Sequence, residues 1–223
     1  MNIKLQYLLL YLVLGGFAIA LFLADSAWQA RALVLRDSVI LAWVASIANI
    51  LFGNSLGRLL GIRPRQLLGL LGVVFSPLLH RDIGHLLANT LPFLALGWLI
   101  LLQGKLQGDG DFYTVTVTIL LIGGLGTWLF GREAIHLGAS GLIFGYIGFL
   151  LVEGYLGPTL LTVGFAALVF LLYGSQLWSL FPSSNEKMIS WEGHLFGFIG
   201  GIVAGTQPDF LSTVGTALQS LTQ

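Results

Sequence analysis

Of the 223 residues in this chain 56% are hydrophobic and only 9% charged, with ten basic residues balancing ten acidic ones. Ordinary soluble domains carry charge on about a quarter of their residues, so this composition, with a mean hydropathy of +0.90, excludes that class and indicates an integral, multi-pass membrane protein. No basic run offers a nucleic-acid surface, and the lack of cysteine removes disulfides, thiolate catalysis and thiolate-held metals.

Apolar runs occur at 5–23, 39–60, 86–102, 112–130, 137–156, 160–177 and 195–206. A spanning helix needs about 20 apolar residues, fewer in a packed bundle, so these predict seven helices, the second and seventh being the weakest. Lys4 precedes the first run, which is longer than the roughly 7–15 residues of a signal-peptide core, so it reads as a retained helix. The apolar stretch 67–79 is too short to span, contains Gly69 and Gly72 and meets Pro77. It reads as an interfacial or re-entrant segment within a loop from about 61 to 84. The tail 207–223 is too short for a domain.

Consecutive spans alternate direction, so the third, fifth and seventh enter from one face. Their first turns carry His85, Ser140 and His194, and Asn89 lies one turn below His85 on the same helical face. Polar and ionisable groups are costly in a spanning helix and mark function by default; a serine beside a histidine narrows the chemistry to acyl transfer. Small residues allow helices to approach closely, and Gly193, Gly197, Gly201 and Gly205 form a stripe in the seventh span, with Gly141 and Gly145 in the fifth. Taken singly, each feature also has a structural explanation. Ser140 can bond its own helix, His85 can cap or snorkel, Asn89 can join two helices, and glycine stripes are common in membranes.

The segments HLGASGLIFGYIGFL from His136, WEGHLFGFIGG from Trp191 and HRDIGHLLAN from His80 together resemble the rhomboid family of intramembrane serine proteases. GxSG at Gly138 to Gly141, HxxxN at His85 and Asn89, and HxxGxxxG at His194, Gly197 and Gly201 occur in the family's order. The resemblance implies an all-α, polytopic membrane helical bundle. Its six-helix rhomboid-like core would occupy 37–206, with an extra N-terminal transmembrane helix and connector at 1–36 and a short tail at 207–223. It makes Ser140 the nucleophile and His194 the general base of a dyad without a carboxylate. Asn89, His85 and Gly138 fall at the oxyanion position with the Ser140 backbone N–H, Phe144 packs on the His194 ring, and Gly141, Gly197 and Gly201 support helix packing. A buried aspartate would cost several kcal/mol unless fully hydrogen-bonded, so a dyad is physically reasonable. Helix-start amides carry partial positive charge and favour a developing oxyanion.

The implied partners are transmembrane protein substrates and membrane lipid, without nucleic acid, metal or cofactor, in a prokaryotic cell membrane. His80 and His136 are read as structural, and Glu192 as pointing away from His194. The zinc signature HExxH is absent, and a GxGD match at 108–111 lies in a polar connection with no second aspartate in an apolar span. The loop before the third helix lacks the adjacent Trp-Arg pair of many rhomboids. Rhomboid sites open to the extracytoplasmic side, whereas Lys4, Arg58, Arg63, Arg65, Arg81, Arg132 and Lys187 all fall on the site's side and favour the reverse by the positive-inside rule. The family orientation is the expectation adopted. The polar loop 179–192 is a candidate movable cap. A non-catalytic rhomboid-like protein that routes membrane clients is the alternative; a transporter is disfavoured because no acidic residue lies mid-span.

Overall fold

The computed structural model describes residues 3–22, 26–107, 111–182 and 190–220. Seven principal helices answer to the seven apolar runs, the second only in part: α1 (Ile3–Phe22), α2 (Ser26–Leu51), α5 (Ile83–Gln107), α6 (Asp111–Phe130), α7 (Ser140–Leu156), α8 (Leu160–Tyr173) and α9 (Trp191–Thr206). Short helices α3 (Ser55–Leu60) and α4 (Leu71–Phe75) lie in the connection between α2 and α5, and α10 (Phe210–Ser220) follows α9. The chain is an all-helical, multi-pass membrane bundle.

α1, α2, α5, α6 and the continuous helical stretch Leu160–Leu180 are long and apolar enough to cross a bilayer. α7 and α9 have only 17 and 16 residues. They are the inner helices: α7 buries every residue from Leu142 to Leu150, as expected of a helix apolar on all sides. Protein covers most of α7 and the two faces of α9 that meet α6 and α7, which relaxes the length that bilayer thickness would impose.

The second helix differs from the apolar run that predicted it. It begins at Ser26, because Arg31, Arg36 and Asp37 depress local hydropathy without breaking the helix. Arg31 lies over the Trp28 ring at 5.7 Å, and Arg36 pairs with Asp37 at 2.7 Å. It ends at Leu51, because Gly53 and Asn54 both take φ of 60°, turning the chain into the separate helix α3. Thr159 and Thr162 form a capping box that starts α8.

α9 is wedged between α6 and α7, with glycine on both faces. A Cβ on Gly197 would strike Gly141 O and one on Gly201 would strike Gly145 O, so α7 and α9 meet backbone to backbone. Toward α6, a Cβ on Gly123 would lie 3.1 Å from Gly197 Cα, and one on Gly200 3.1 Å from Ile119 Cα. In lipid such packing is driven by dispersion, which requires this proximity. The segment Leu67–Leu78 does not span; Gly72 fits against the Ile62 backbone and Val73 against Gly124 of α6, while Leu67 and Val74 remain exposed.

Candidate active site

Ser140 is the first residue of α7, and the chain reaches it through Gly138, whose φ of 105° strongly favours glycine. The Gly138 N–H donates to Ser76 O at 3.0 Å and the Ala139 N–H to His80 Nε2 at 3.4 Å, so this loop hangs from the α2–α5 connection. A Cβ on Gly138 would lie 2.7 Å from His85 Cε1 and Nε2 and 3.7 Å from Asn89 Nδ2. The turn thus leaves no room for a side chain beside His85, with Asn89 just beyond. With its N–H engaged, what Gly138 offers here is close approach rather than a donor.

A cavity of about 830 Å³ is bordered by Ser140, His194, His85, Asn89, Phe144 and Ser179. His85, Ser140 and His194 come from the first turns of α5, α7 and α9, as alternation of the spans requires; Asn89 and Phe144 lie one turn further along α5 and α7, and Ser179 comes from the 3₁₀ turn Gly174–Leu180 that follows α8. His194 is buried, its ring stacked on Phe144 with 4.2 Å between centroids and 16° between planes. Its Nδ1 lies 3.1 Å from Ser179 Oγ and 3.3 Å from Ser179 O. Gly141 and Gly193 bring the two helix starts together, a Cβ on the former lying 3.0 Å from the latter's oxygen. Among the described residues the Ser140 hydroxyl makes no hydrogen bond, so the serine and histidine share the cavity without a closed contact. Hydroxyl and base often tighten only when substrate binds.

Donors face the same space. Asn89 is buried and spends one amide hydrogen on His85 O at 2.9 Å, leaving the other available. The backbone N–H of His85 donates to Asp82 Oδ1 at 2.8 Å, which caps α5, while its buried ring Nδ1 has no partner among the described residues. The Ser140 N–H opens α7 and likewise has no intrahelical acceptor.

The remaining histidines belong to the frame. Ser46 O–H donates to Leu78 O at 3.0 Å, so its oxygen accepts from His80 Nδ1–H at 2.9 Å, and His80 Nε2 is left to receive the Ala139 N–H. Burial first, and then His85 nearby, pushes the His80 pKa down to about 4, keeping the ring neutral as this network requires. Asn49 donates to His80 O at 3.0 Å and accepts from the Gly57 N–H at 2.7 Å, tying α2 to the same loop. His136 Nε2–H donates to Arg132 O at 3.2 Å, so Nδ1 accepts from Ser190 O–H at 2.6 Å; Ser190 in turn caps α9 through the Gly193 N–H at 3.1 Å. Burial holds the His136 pKa below the ordinary histidine range. Glu192, 2% exposed, turns to the Arg132 backbone N–H at 3.1 Å and its guanidinium at 3.4 Å, and so contributes no carboxylate to His194.

Sequence reasoning missed Ser46, Asn49, Ser179 and Ser190. Ser46 and Asn49 were visible as polar residues inside an apolar run, and Ser190 as a cap before α9. Ser179 carried no comparable pattern. Of the proposed cap at 179–192, residues 183–189 lie outside the described residues, as do 108–110 of the GxGD match.

Fold and site together define a multi-pass helical membrane protein that gathers a serine, a histidine and amide donors around one cavity near the ends of its spans. The family model for the Rhomboid domain matches residues 67–207. An uncharacterized protein of Mycobacterium tuberculosis is 38% identical over 184 residues, covering 79% of this chain and 75% of that protein. A putative rhomboid protease of Bacillus subtilis is 31% identical over 127 residues (56% of this chain, 61% of its own), and the RHOMBOID-like protein 1 of Arabidopsis thaliana 33% over 135 residues (57% and 31%). The chain belongs to the rhomboid family.

Proposed function

We propose that this protein is an intramembrane serine endopeptidase that cleaves transmembrane or juxtamembrane segments of membrane proteins through a Ser140–His194 dyad. The observation that carries the reading is His194 itself: buried, stacked on Phe144, bonded at Nδ1 and turned to the cavity that Ser140 enters. A purely structural histidine in a spanning helix would have both ring nitrogens engaged. Here only Nδ1 is.

In this reading Ser140 Oγ attacks the scissile carbonyl carbon while His194 Nε2 takes the hydroxyl proton. The carbonyl oxygen becomes an oxyanion facing the Ser140 N–H, the free Asn89 amide hydrogen and the His85 ring. Each such donor contributes on the order of 3 kcal/mol when preorganised. Collapse breaks the C–N bond, with His194 returning the proton to the leaving amine. Water then adds to the acyl ester, His194 again serving as base, and Ser140 is released. A helical substrate hides its carbonyls in its own hydrogen bonds, so the segment must unwind to reach Ser140, and small residues suit a site crowded by helices. No step needs a cofactor. Bacterial relatives from Mycobacterium and Bacillus support a bacterial cell membrane as the setting.

Reaction with a fluorophosphonate tests the nucleophile without knowledge of the substrate. Labelling of the wild type that disappears in Ser140→Ala is the expected result. Equal labelling of both proteins, or none of either, contradicts the dyad.

A further inference from the structure

The hydrogen count on His194 follows from its neighbours. Ser179 donates its O–H to Gln176 O at 2.8 Å, so its oxygen has only lone pairs to offer the ring nitrogen 3.1 Å away. The carbonyl of Ser179, 3.3 Å from the same nitrogen, can only accept. Both atoms therefore require a hydrogen on Nδ1. A neutral imidazole has a single N–H, which leaves the lone pair on Nε2. Phe144 covers one face of the ring and restrains its tilt.

We propose that Ser179 is the positioning residue for His194: its hydroxyl and carbonyl fix the tautomer, aim Nε2 into the cavity and receive the Nδ1–H when the ring takes up the Ser140 proton. A carboxylate performs this task in serine hydrolase triads; here two neutral oxygens of one residue do so, while the nearest buried carboxylate, Glu192, is committed to Arg132. Ser179 lies on the 3₁₀ turn Gly174–Leu180, which also gives Gln176 and Trp178 to the cavity wall. Contact with substrate and orientation of the base thus reside in one turn. This inference rests on the dyad reading above.

The test compares full-length wild type, Ser179→Ala, Ser179→Thr and Ser140→Ala, reconstituted in lipid. Three quantities are measured: the rate of fluorophosphonate labelling, kcat and KM on a cleaved single-span protein, and thermal stability. Ser179→Ala keeps the carbonyl and loses the hydroxyl, so the expected effect is a fall of about tenfold in kcat and in labelling rate, with KM and stability unchanged. Ser179→Thr restores the hydroxyl and most of both rates. A small electrophile does not sense the fit of a substrate helix, so slower labelling separates positioning of His194 from shaping of the cavity. Wild-type labelling in Ser179→Ala, or a loss that Thr does not recover, overturns the proposal while Ser140-dependent activity leaves the dyad intact. Activity that survives Ser140→Ala overturns the dyad, and the role of Ser179 with it.

Discussion

The ring of Phe144 lies nearly parallel to that of His194, 4.2 Å from centroid to centroid, and joins the helix that begins with Ser140 to the helix that carries the base. Phe144 is one turn below Ser140 on α7, so the stack fixes the lateral position of the imidazole relative to the serine. Phe144→Leu keeps most of the volume and loses the flat face. It is expected to lower kcat about tenfold with a modest drop in thermal stability, whereas Phe144→Tyr retains near-wild-type turnover; steady-state kinetics with melting curves checks both.

Asn89 and His85 line the cavity that Ser140 and His194 also border, and are the proposed oxyanion donors. Asn89→Ala and His85→Ala are each expected to reduce turnover by about 10- to 10³-fold, the scale of one lost donor, while labelling of Ser140 by small electrophiles stays detectable. Turnover unchanged in both folded variants would remove these residues from the mechanism.

Much of this architecture was legible in the sequence, for physical reasons that also explain what was not. Seven apolar runs marked seven helices because burial in lipid or protein demands apolarity along a whole span, and the polar residues that break that rule, His85, Asn89, Ser140 and His194, converge on one cavity. The start of α2 was hidden because hydropathy registers Arg31, Arg36 and Asp37 as interruptions, while a helix accommodates them on its faces. The link from Ser46 and Asn49 to His80 joins residues more than thirty positions apart, which no local pattern encodes. Ser179 sits on a 3₁₀ turn without amphipathic period, and its partner is fixed only once that turn has packed against α9.

The glycine stripe shows the same limit. Helical geometry places Gly200 about 100° from Gly201, which suggests a tolerant face; the structure puts Ile119 of α6 there and buries both glycines. Valine should therefore be damaging at either position, and alanine discriminates. A Cβ on Gly201 meets the backbone oxygen of Gly145, while one on Gly200 lies 3.1 Å from Ile119 Cα and needs only a small adjustment. Gly201→Ala is expected to lower both activity and stability, with displacement near 1 Å costing about 10²-fold in rate, and Gly200→Ala to stay within a fewfold of wild type. Equal losses would mean that α7–α9 contact has no special part in the chemistry.

Orientation can be read directly, because the natural chain has no cysteine. Glu133 is exposed in the connection between α6 and α7 on the side of the cavity, and Pro158 is exposed between α7 and α8 on the opposite side. In intact cells an impermeant maleimide is expected to label Glu133→Cys and spare Pro158→Cys. The reverse pattern would make the arginine count decisive and turn the site toward the cytoplasm.

The central claim is that Ser140 is a nucleophile toward peptide bonds of membrane proteins. The most direct measurement reconstitutes wild type, Ser140→Ala and His194→Ala in lipid vesicles with a panel of single-span proteins and follows their fragmentation. Cleavage by the wild type, with losses of about 10⁴-fold or more in each variant and no further loss in the double variant, is the predicted result, because a nucleophile and its base act as one unit. Cleavage that persists in folded Ser140→Ala, or a wild type that binds these proteins and cuts none, would contradict it.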